Sequence, residues 1–349
     1  MSEPHIGYYV HHQGAGHATR ALAIARELSG PVTLIGSHLP DGPLPSHIER
    51  LYLPADTAPG MRVEQFDSLH YAPLGVPGLR QRAVLLTQWM RDHWPCLLVV
   101  DVSVEVALLA RLCGVPTIYM RQHGQRDDAA HLQAYACAAV LLAPYPPMME
   151  SPLTCATVRG NSRYSGWISR YAGAPAAPAQ RGQVLVINGH GGTAFTHQAL
   201  GELADACPDQ QFRVAGQVSG EPLPRPNLTY LGPVPEPLAE LQRAHVVIGS
   251  AGDSLVSEAA SLGCRYIAVA EQRPFAEQQQ QARRLDELGL AVGLEAWPEA
   301  AQWPALLARA QALDGLAWQQ WADAQSARRA AAILQGTLNE LFRSPGGLG

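Results

Sequence analysis

The sequence of 349 residues contains no lysine, and arginine supplies all 25 of its permanently basic side chains. An enzyme that forms a Schiff base with its substrate or with pyridoxal phosphate needs a lysine amine, and so does the phosphate-binding P-loop. The composition therefore excludes aldolases of that type, pyridoxal-phosphate enzymes and P-loop kinases.

Charged residues and long apolar runs are also scarce. Only 16% of the residues are charged, the formal net charge is −5 and the arginines are dispersed, so the chain offers no basic face to nucleic acid. No apolar run approaches the length of a membrane span, and the polar first residues show no signal-peptide pattern. With an apolar fraction of 47%, these features indicate a soluble, cytoplasmic protein.

Cysteine provides neither a disulfide framework nor a zinc site. The six cysteines include no C-x-x-C pair, and several lie within apolar segments: Cys96, Cys113, Cys137, Cys155, Cys207 and Cys264. We interpret them as buried thiols in a reducing compartment.

The most informative segment runs from His245 to Leu294 and predicts alternating strands and helices. Its first strand, His245 to Gly249, is a continuous apolar run typical of a buried parallel strand. The turn from Ser250 to Asp253 opens a helix that we expect to end at Leu262, before Gly263. Small residues at the start of a helix leave backbone N–H groups unpaired, which predicts a site for phosphate or diphosphate.

Three side chains after this turn suit the rest of a nucleotide sugar. Glu258 lies four residues after Ser254 on the same helical face, and its carboxylate can accept hydrogen bonds from both hydroxyls of a ribose. Glu277 and Gln278 begin the next helix, where they can bond the hydroxyls of a sugar. The alternative is an ordinary β-α-β unit with a solvated glutamate.

These residues resemble a known family. The matching positions are Ser250, Gly252, Ser254, Glu258, Ala259, Gly263, Glu277, Gln278, Ala282, Leu285 and Gly289. They resemble the donor half of the GT-B glycosyltransferases, and most closely the branch that contains the bacterial peptidoglycan N-acetylglucosaminyltransferase. The His-Cys-Gly-Trp run of the plant-type enzymes is absent.

The resemblance implies a role for each part of this segment. It places the diphosphate of the donor on the glycine loop formed by Ser250, Gly252, Asp253 and Ser254. It places the ribose on Glu258, and the donor sugar on Glu277 and Gln278. The implied donor is a nucleotide diphosphate sugar, with UDP favoured by the resemblance.

Two further parts of the donor site follow from the same resemblance. The loop after the strand Val184 to Ile187 resembles the family's second phosphate-side glycine loop and contains Gly191 and Gly192. Backbone near Val234 corresponds to the region that meets the nucleotide base.

A glycine loop also opens the N-terminal half, where the strand Ile6 to Val10 leads to Gly14-Ala15-Gly16-His17 and a helix. This G-x-G-H loop lacks the third glycine of a dinucleotide fingerprint, and no acidic residue ends the second strand, so we do not expect an NAD site. The loop resembles the G-x-G-H loop of the same branch, which places Gly16 beside the acceptor and His17 in the cleft.

His17 and Asp101 are the candidate catalytic residues. An inverting transfer needs a base to take the proton of the acceptor hydroxyl, and an imidazole suits that task. Asp101 ends the predicted strand Pro95 to Asp101, where an acid can orient such a histidine. Two alternatives stay open, because His17 can cap the first helix and Asp101 can cap the helix that begins near Val104.

The acceptor region is predicted less fully. His123 and Arg126, in the polar loop after the next strand, are candidate acceptor contacts on position alone. Residues 79–94 form an amphipathic helix, which either packs on the sheet or touches a membrane. We expect loops and a strand over the cleft at 37–77, and loops at 144–168.

No metal is expected. Asp127 and Asp128 do not form the D-x-D of metal-dependent transferases. His11, His12 and His17 make a poor metal cluster, because adjacent strand residues point to opposite faces. No cofactor is expected besides the nucleotide-sugar donor.

The fold class that we predict is α/β, with two Rossmann-like domains facing each other across a cleft, the GT-B arrangement. We expect an N-terminal acceptor domain at 1–172, a linker at 173–182, a nucleotide-sugar domain at 183–316 and a helix at 317–349 that returns to the first domain.

The predicted function is an inverting, metal-independent transfer of a sugar from a UDP-sugar to a hydroxyl acceptor, which the sequence does not identify. We expect a monomer or weak dimer, and the sequence carries no strong signal for a nucleic-acid or membrane partner. The alternatives are a sugar-nucleotide 2-epimerase or hydrolase on the same fold, and a nucleotide-sugar binding protein that lacks catalysis.

Overall fold

The computed structural model describes residues 3–11, 15–175, 177–188, 195–318, 321–343 and 348. These residues form two α/β domains, each built on a twisted parallel sheet with helices on its faces.

The first domain contains a seven-stranded sheet in the order β3-β2-β1-β4-β5-β6-β7. Its strands are β1 (His5–Tyr9), β2 (Val32–Gly36), β3 (Ile48–Tyr52), β4 (Cys96–Asp101), β5 (Thr117–Met120), β6 (Val140–Ala143) and β7 (Ser162–Tyr164). Its helices are α1 (Ala15–Arg26), α2 (Pro77–Asp92), α3 (Val104–Leu112), α4 (Ala129–Cys137) and α5 (Ala156–Gly160). All six residues of the central strand β4 are buried, as expected for a parallel strand covered on both faces.

The second domain contains a six-stranded sheet in the order β10-β9-β8-β11-β12-β13. Its strands are β8 (Gln180–Ile187), β9 (Gln211–Ala215), β10 (Leu228–Gly232), β11 (Ala244–Ser250), β12 (Tyr266–Val269) and β13 (Val292–Leu294). Its helices are α6 (His197–Ala206), α7 (Leu238–Arg243), α8 (Asp253–Leu262), α9 (Glu277–Glu287) and α10 (Trp303–Gln311).

The strand order reverses between β1 and β4 in the first sheet and between β8 and β11 in the second. The crevice outside the carboxyl ends of the strands at such a switch point is where α/β proteins bind ligands. Asp101 ends β4 and Ser250 ends β11, so each domain brings a predicted site residue to its own switch point.

The chain returns to the first domain through helix α11 (Ser326–Phe342). Its buried residues Ala330, Leu334 and Leu338 share an apolar core with Ile24 and Ala25 of α1. The end of the chain therefore braces the N-terminal domain, in the position expected for a returning helix.

Several predicted segments differ from the structure. Residues 144–168 were expected as loops but contain α5 and the edge strand β7. Of the loops and strand expected over the cleft at 37–77, the strand is β3, at an edge of the first sheet, and loop residues between Asp56 and Tyr71 line the cleft. Helix α11 begins at Ser326 instead of 317, and β8 begins at Gln180, inside the predicted linker.

Helix α2 packs against the first sheet through one face. Leu86, Trp89 and Met90 are buried in the apolar core with Leu98 and Val100 of β4. Within the described ranges, no helix is both long and apolar enough to span a membrane.

Candidate functional site

A cleft of about 1220 Å³ runs between the two domains. Its walls include most of the predicted site residues: Gly16, His17, Arg126, Val234, Ser250, Gly252, Asp253, Ser254, Glu258, Glu277 and Gln278. The two halves of the predicted site therefore face one space.

His17 and Asp101 are paired on the N-terminal side of this cleft. The Nδ1 atom of His17 lies 3.0 Å from Oδ2 of Asp101, whose side chain is completely buried. Because Nδ1 is held by the carboxylate, Nε2 is the ring nitrogen that remains for a ligand in the cleft. The structure thus brings together the two residues in which a base and its orienting acid were predicted.

Arg20 completes this group and was not singled out from the sequence. Its Nη2 atom donates to both carboxylate oxygens of Asp101, at 2.9 and 3.1 Å. Burial alone raises the pKa of Asp101, but the charge of Arg20 and the interactions with His17 outweigh it and hold that pKa well below its ordinary value. Arg20 follows His17 by three residues on α1, a spacing that puts both on one helical face and could have revealed it.

The alternative that Asp101 caps α3 is wrong. The cap is Ser103, whose Oγ accepts a hydrogen bond from the backbone N–H of Val106 at 3.2 Å. Between the two lies Val102 with φ of 81°, a strained conformation for a β-branched residue. The Tyr119 hydroxyl donates to the Val102 carbonyl at 2.7 Å, and this turn separates the capping serine from the buried aspartate.

The N-terminus of α8 has the features predicted for an anion site. Gly252 occupies the N-cap position, and within the described chain no side chain caps this helix. Helices α3, α4 and α6 are capped by the side chains of Ser103, Asp128 and Thr196, whereas, among the described residues, α2, α5, α7, α9, α10 and α11 also lack a side-chain cap. Helix α8 combines an uncapped start at a glycine with a position on the cleft. The first backbone N–H groups of α8 are therefore left for a ligand in the cleft.

The two domains approach each other closely beside this helix. A Cβ atom added to Gly16 would lie 1.9 Å from Oγ of Ser254. Nη1 of Arg20 lies 3.5 Å from Oδ2 of Asp253, in the first turn of α8. The base side and the anion side of the site are thus in direct contact.

Glu258 lies where the second turn of α8 borders the cleft. It is buried, and the Nε of Arg170 donates to its Oε1 at 2.8 Å. Burial raises the pKa of Glu258, although the charge of Arg170 opposes the shift. Val234 and Pro235 line the cleft in the same domain, so they border the same space as Glu258 and the start of α8.

Glu277 and Gln278 stand at the start of α9. The amide oxygen of Gln278 accepts from the backbone N–H of Glu271 at 2.9 Å. Oε2 of Glu277 accepts from Nη2 of Arg126 at 2.7 Å, across the cleft. Burial and the nearby charge of Asp253 raise the pKa of Glu277, and Arg126 opposes this shift.

The structure places the two predicted acceptor contacts differently, and their role stays a prediction. His123 is buried, its ring stacks on Tyr145 with centroids 4.2 Å apart, and it is not among the cleft-lining residues. Burial lowers the pKa of His123 although Asp253 opposes this. Arg126 lines the cleft, but its guanidinium is engaged by Glu277, by Gln122 and by the backbone carbonyl of His123.

Some predicted residues cannot be placed. Gly191 and Gly192, expected in the second phosphate-side loop, lie outside the described residues, and so does His12.

One group of side chains within the described ranges has metal-ligand character: His70, Asp128 and His131. Asp128 accepts from Nε2 of His70 at 2.8 Å and from Nδ1 of His131 at 2.5 Å. Burial lowers the pKa of His131 to about 4. Mutual hydrogen bonds account for all three positions. The i, i+3 spacing of Asp128 and His131 is the one signal of this group in the sequence.

No protein-family model matches the chain, and no curated protein matches it in sequence. The solved structures do provide matches. Acinetobacter baumannii MurG is 16% identical, with 96% of this chain and 100% of that chain covered and a TM-score of 0.62.

Two further structures are similar over nearly the whole chain. A UDP-glucosyltransferase from Polygonum tinctorium is 17% identical, with 97% of this chain and 99% of that chain covered and a TM-score of 0.67. LpCGTa in complex with UDP is 16% identical, with 99% of this chain and 96% of that chain covered and a TM-score of 0.60. The chain therefore has the GT-B fold of glycosyltransferases, as its resemblance in sequence predicts.

Proposed function

We propose that the protein is a glycosyltransferase that moves a sugar from a UDP-sugar to a hydroxyl acceptor with inversion at the anomeric carbon. The observation that carries this proposal is the facing arrangement of His17, held by Asp101, and the uncapped start of α8 across one cleft. A base on one side and an anion site on the other are what such a transfer needs.

In the proposed reaction, Nε2 of His17 takes the proton of the acceptor hydroxyl. The acceptor oxygen attacks the anomeric carbon, and the bond from that carbon to the diphosphate oxygen breaks. Attack opposite to the leaving group in one displacement inverts the configuration. The Asp101 carboxylate orients His17 and stabilises the imidazolium that forms.

The departing diphosphate carries away the electron pair of the broken bond. The free N–H groups at the start of α8 can donate to its oxygens, with the positive end of the helix dipole directed at them. Arg20 lies 3.5 Å from Asp253 and offsets the negative charge that this side chain brings to the first turn. The proposed mechanism therefore stabilises the leaving group with backbone donors and the helix dipole and uses no metal ion.

The remaining donor contacts in the proposal follow the resemblance. Glu258 binds the ribose hydroxyls, Val234 meets the base, and Glu277 and Gln278 bind the sugar hydroxyls. UDP is the nucleotide that we propose, because it is the ligand of one solved structure with this fold and belongs to the name of another.

A thermal-shift panel of UDP-, dTDP- and GDP-sugars tests the donor site. A ligand at about 100 times its dissociation constant stabilises a protein by about 2.7 kcal/mol, which raises the midpoint of a domain of this size by several degrees. We expect a shift with UDP-sugars that is lost in Glu258→Ala and kept in His17→Ala.

The same variants separate binding from chemistry. His17→Ala should bind the donor normally and fail to transfer the sugar. Absence of a shift with every nucleotide sugar would refute the donor site, and consumption of the donor at an equal rate without any acceptor would indicate a hydrolase or an epimerase instead.

A further inference from the structure

A short segment of the C-terminal domain, residues 273–277, contacts the loop after β5 in the N-terminal domain. The backbone N–H of Gln125 donates to the carbonyl of Phe275 at 2.6 Å. The Phe275 ring lies against His70 and His131, with centroids 5.2 and 4.8 Å apart. The guanidinium of Arg126 is 4.9 Å from the centre of the same ring. The segment therefore fastens one domain to the other at the edge of the cleft.

The backbone of this segment is strained. Phe275 and Ala276 have φ angles of 62° and 50°, in the left-handed region that residues with a Cβ rarely adopt. Such conformations persist only where the surrounding structure holds them. Ala276 directly precedes α9, which begins with Glu277 and Gln278, so the contacts that hold Phe275 also fix the start of this helix.

Glu277 depends on the N-terminal domain for its partner. In the described part of the chain, its side chain has one hydrogen bond, the 2.7 Å bond from Nη2 of Arg126. Three other contacts hold this guanidinium in place: Nε to the carbonyl of His123, Nη2 to the amide oxygen of Gln122, and Nη1 to Nε2 of His131 at 3.2 Å. A fixed arginine on one domain thus orients a half-buried carboxylate on the other.

The same arrangement recurs at the neighbouring acid. Arg170 lies in the first domain, just before the predicted linker at 173–182. Its Nε donates to Oε1 of Glu258 at 2.8 Å. Each of the two carboxylates to which we attribute donor contacts is therefore paired with an arginine from the N-terminal part of the chain.

We propose that Arg126 is a positioning residue for the donor sugar. When the domains are closed, it holds one oxygen of Glu277 and leaves the other for a sugar hydroxyl, so the sugar site is complete only in the closed form. The inference rests on the proposed function, and it goes further by making sugar binding, as distinct from nucleotide binding, depend on a residue of the opposite domain.

The test compares UDP with UDP-glucose and UDP-N-acetylglucosamine by titration calorimetry on the unaltered protein and on Arg126→Gln. We expect UDP affinity to be unchanged and the gain in affinity from the sugar to fall by about tenfold, since a hydrogen bond to a charged group is lost. Rescue of most of this gain in Arg126→Lys, which retains a positive donor, is also expected.

Arg284→Gln is the matched control. Arg284 lies on α9 and also crosses between the domains, its Nε donating to the carbonyl of Met148 at 2.8 Å, but it contacts neither donor carboxylate. If Arg126 merely helps to hold the domains together, the two variants should weaken UDP and UDP-sugar to the same extent, and that result would overturn the proposal.

A double-mutant cycle keeps the test independent of any loss of stability. If Arg126 acts through Glu277, the double variant Arg126→Gln with Glu277→Gln should lose no more of the sugar's contribution to the binding free energy than either single variant does. Additive losses would overturn the positioning role. If the unaltered protein binds UDP but binds neither UDP-sugar more tightly, the inference fails while the nucleotide site stands. If it binds none of the three ligands, the proposed function fails as well.

Discussion

At the scale of single residues, the central feature is a buried charge group that the sequence indicated only in part. Asp101 has no exposed side-chain surface, and it is paired with both His17 and Arg20. A buried carboxylate is tolerated only with such partners, because its desolvation is costly. Arg20 therefore allows Asp101 to stay ionised in the position where it can orient His17.

The pH dependence of stability should reveal this group. Because the pKa of Asp101 is lowered by folding, its ionised form stabilises the protein at pH values above the ordinary carboxyl pKa of about 3.9, and this contribution is lost as the pH falls toward the lower folded pKa. We expect Asp101→Asn to be about 3 kcal/mol less stable at pH 7, since it leaves Arg20 buried without its counter-charge. In urea unfolding, the difference from the unaltered protein should narrow below about pH 4.

Asp205 offers a matched control. It also receives two bonds from one arginine, Arg225, at 2.6 and 2.8 Å, but its side chain is 56% exposed. Asp205→Asn should change stability little at any pH, because exposed ion pairs are screened by solvent. If both variants lost the same free energy of unfolding, the burial of Asp101 and Arg20 would not matter for stability.

At the scale of elements, the helices of this protein divide by how their N-termini are satisfied. Helices α3, α4 and α6 begin with side-chain caps, whereas α8 and six others have none in the part of the chain that the structure describes, and α8 begins at a glycine that lines the cleft. A serine, asparagine or aspartate at that position would stabilise the helix but would occupy the N–H groups that we attribute to diphosphate binding. The uncapped start therefore favours ligand binding over helix stability.

Gly252→Asp should separate these two effects. Gly252 has φ of −86° and ψ of 147°, which any residue can adopt. A carboxylate at this position can therefore cap α8. We expect the ligand-free protein to be as stable as before, or more stable by a few tenths of a kcal/mol, while UDP affinity falls at least about tenfold. Denaturant unfolding and calorimetry measure the two quantities.

Gly252→Ala is the control for added bulk. A Cβ at this position would lie 3.3 Å from Nε2 of Gln278, the end of a flexible side chain that can shift. Alanine cannot cap the helix, so it should weaken UDP binding less than aspartate does. If both variants lost UDP affinity equally, the aspartate side chain would not be competing with the diphosphate for the N–H groups.

At the scale of the whole molecule, the donor and base sides of the site function together only because the domains are closed. Gly124 lies where the loop after β5 meets the 273–277 segment, with φ of +103°. A Cβ atom there would lie 2.6 Å from the carbonyl oxygen of Phe275 and 3.1 Å from Cα of Glu277. Only glycine permits this approach, so the residue favours closure.

Gly124→Ala should therefore open the cleft. We expect the radius of gyration in solution scattering, about 20 Å for a compact chain of this length, to increase by roughly 1 Å, and sugar transfer to slow. Gly114→Ala is the control, because Gly114 also has a positive φ, of 75°, but has no atom within 4 Å of an added Cβ. If both variants open the cleft, strain at a positive φ is the cause, and the close contact of residue 124 with Phe275 and Glu277 is not.

The local patterns of the sequence determined a large part of this protein. Continuous apolar runs marked the buried strands, and glycines marked the helix starts at Gly252 and near Gly16, because strand burial and turn geometry depend on neighbouring residues. Short edge elements such as α5 and β7 carried no such pattern and were missed. The Gly252 loop, Glu258 and Glu277 were recognisable because their spacing is local to one β-α-β-α segment.

Tertiary structure alone decided how those parts meet. Arg20 and Asp101 are 81 residues apart, and Arg126 and Glu277 are 151 apart. The sequence suggested that Asp101 orients His17 or caps α3, and that Arg126 contacts the acceptor. Only the structure shows that Asp101 is also paired with Arg20, and Arg126 with Glu277. Local spacing cannot specify such pairs, because the partner of a buried charge is set by which strand ends and loops the fold brings across the cleft.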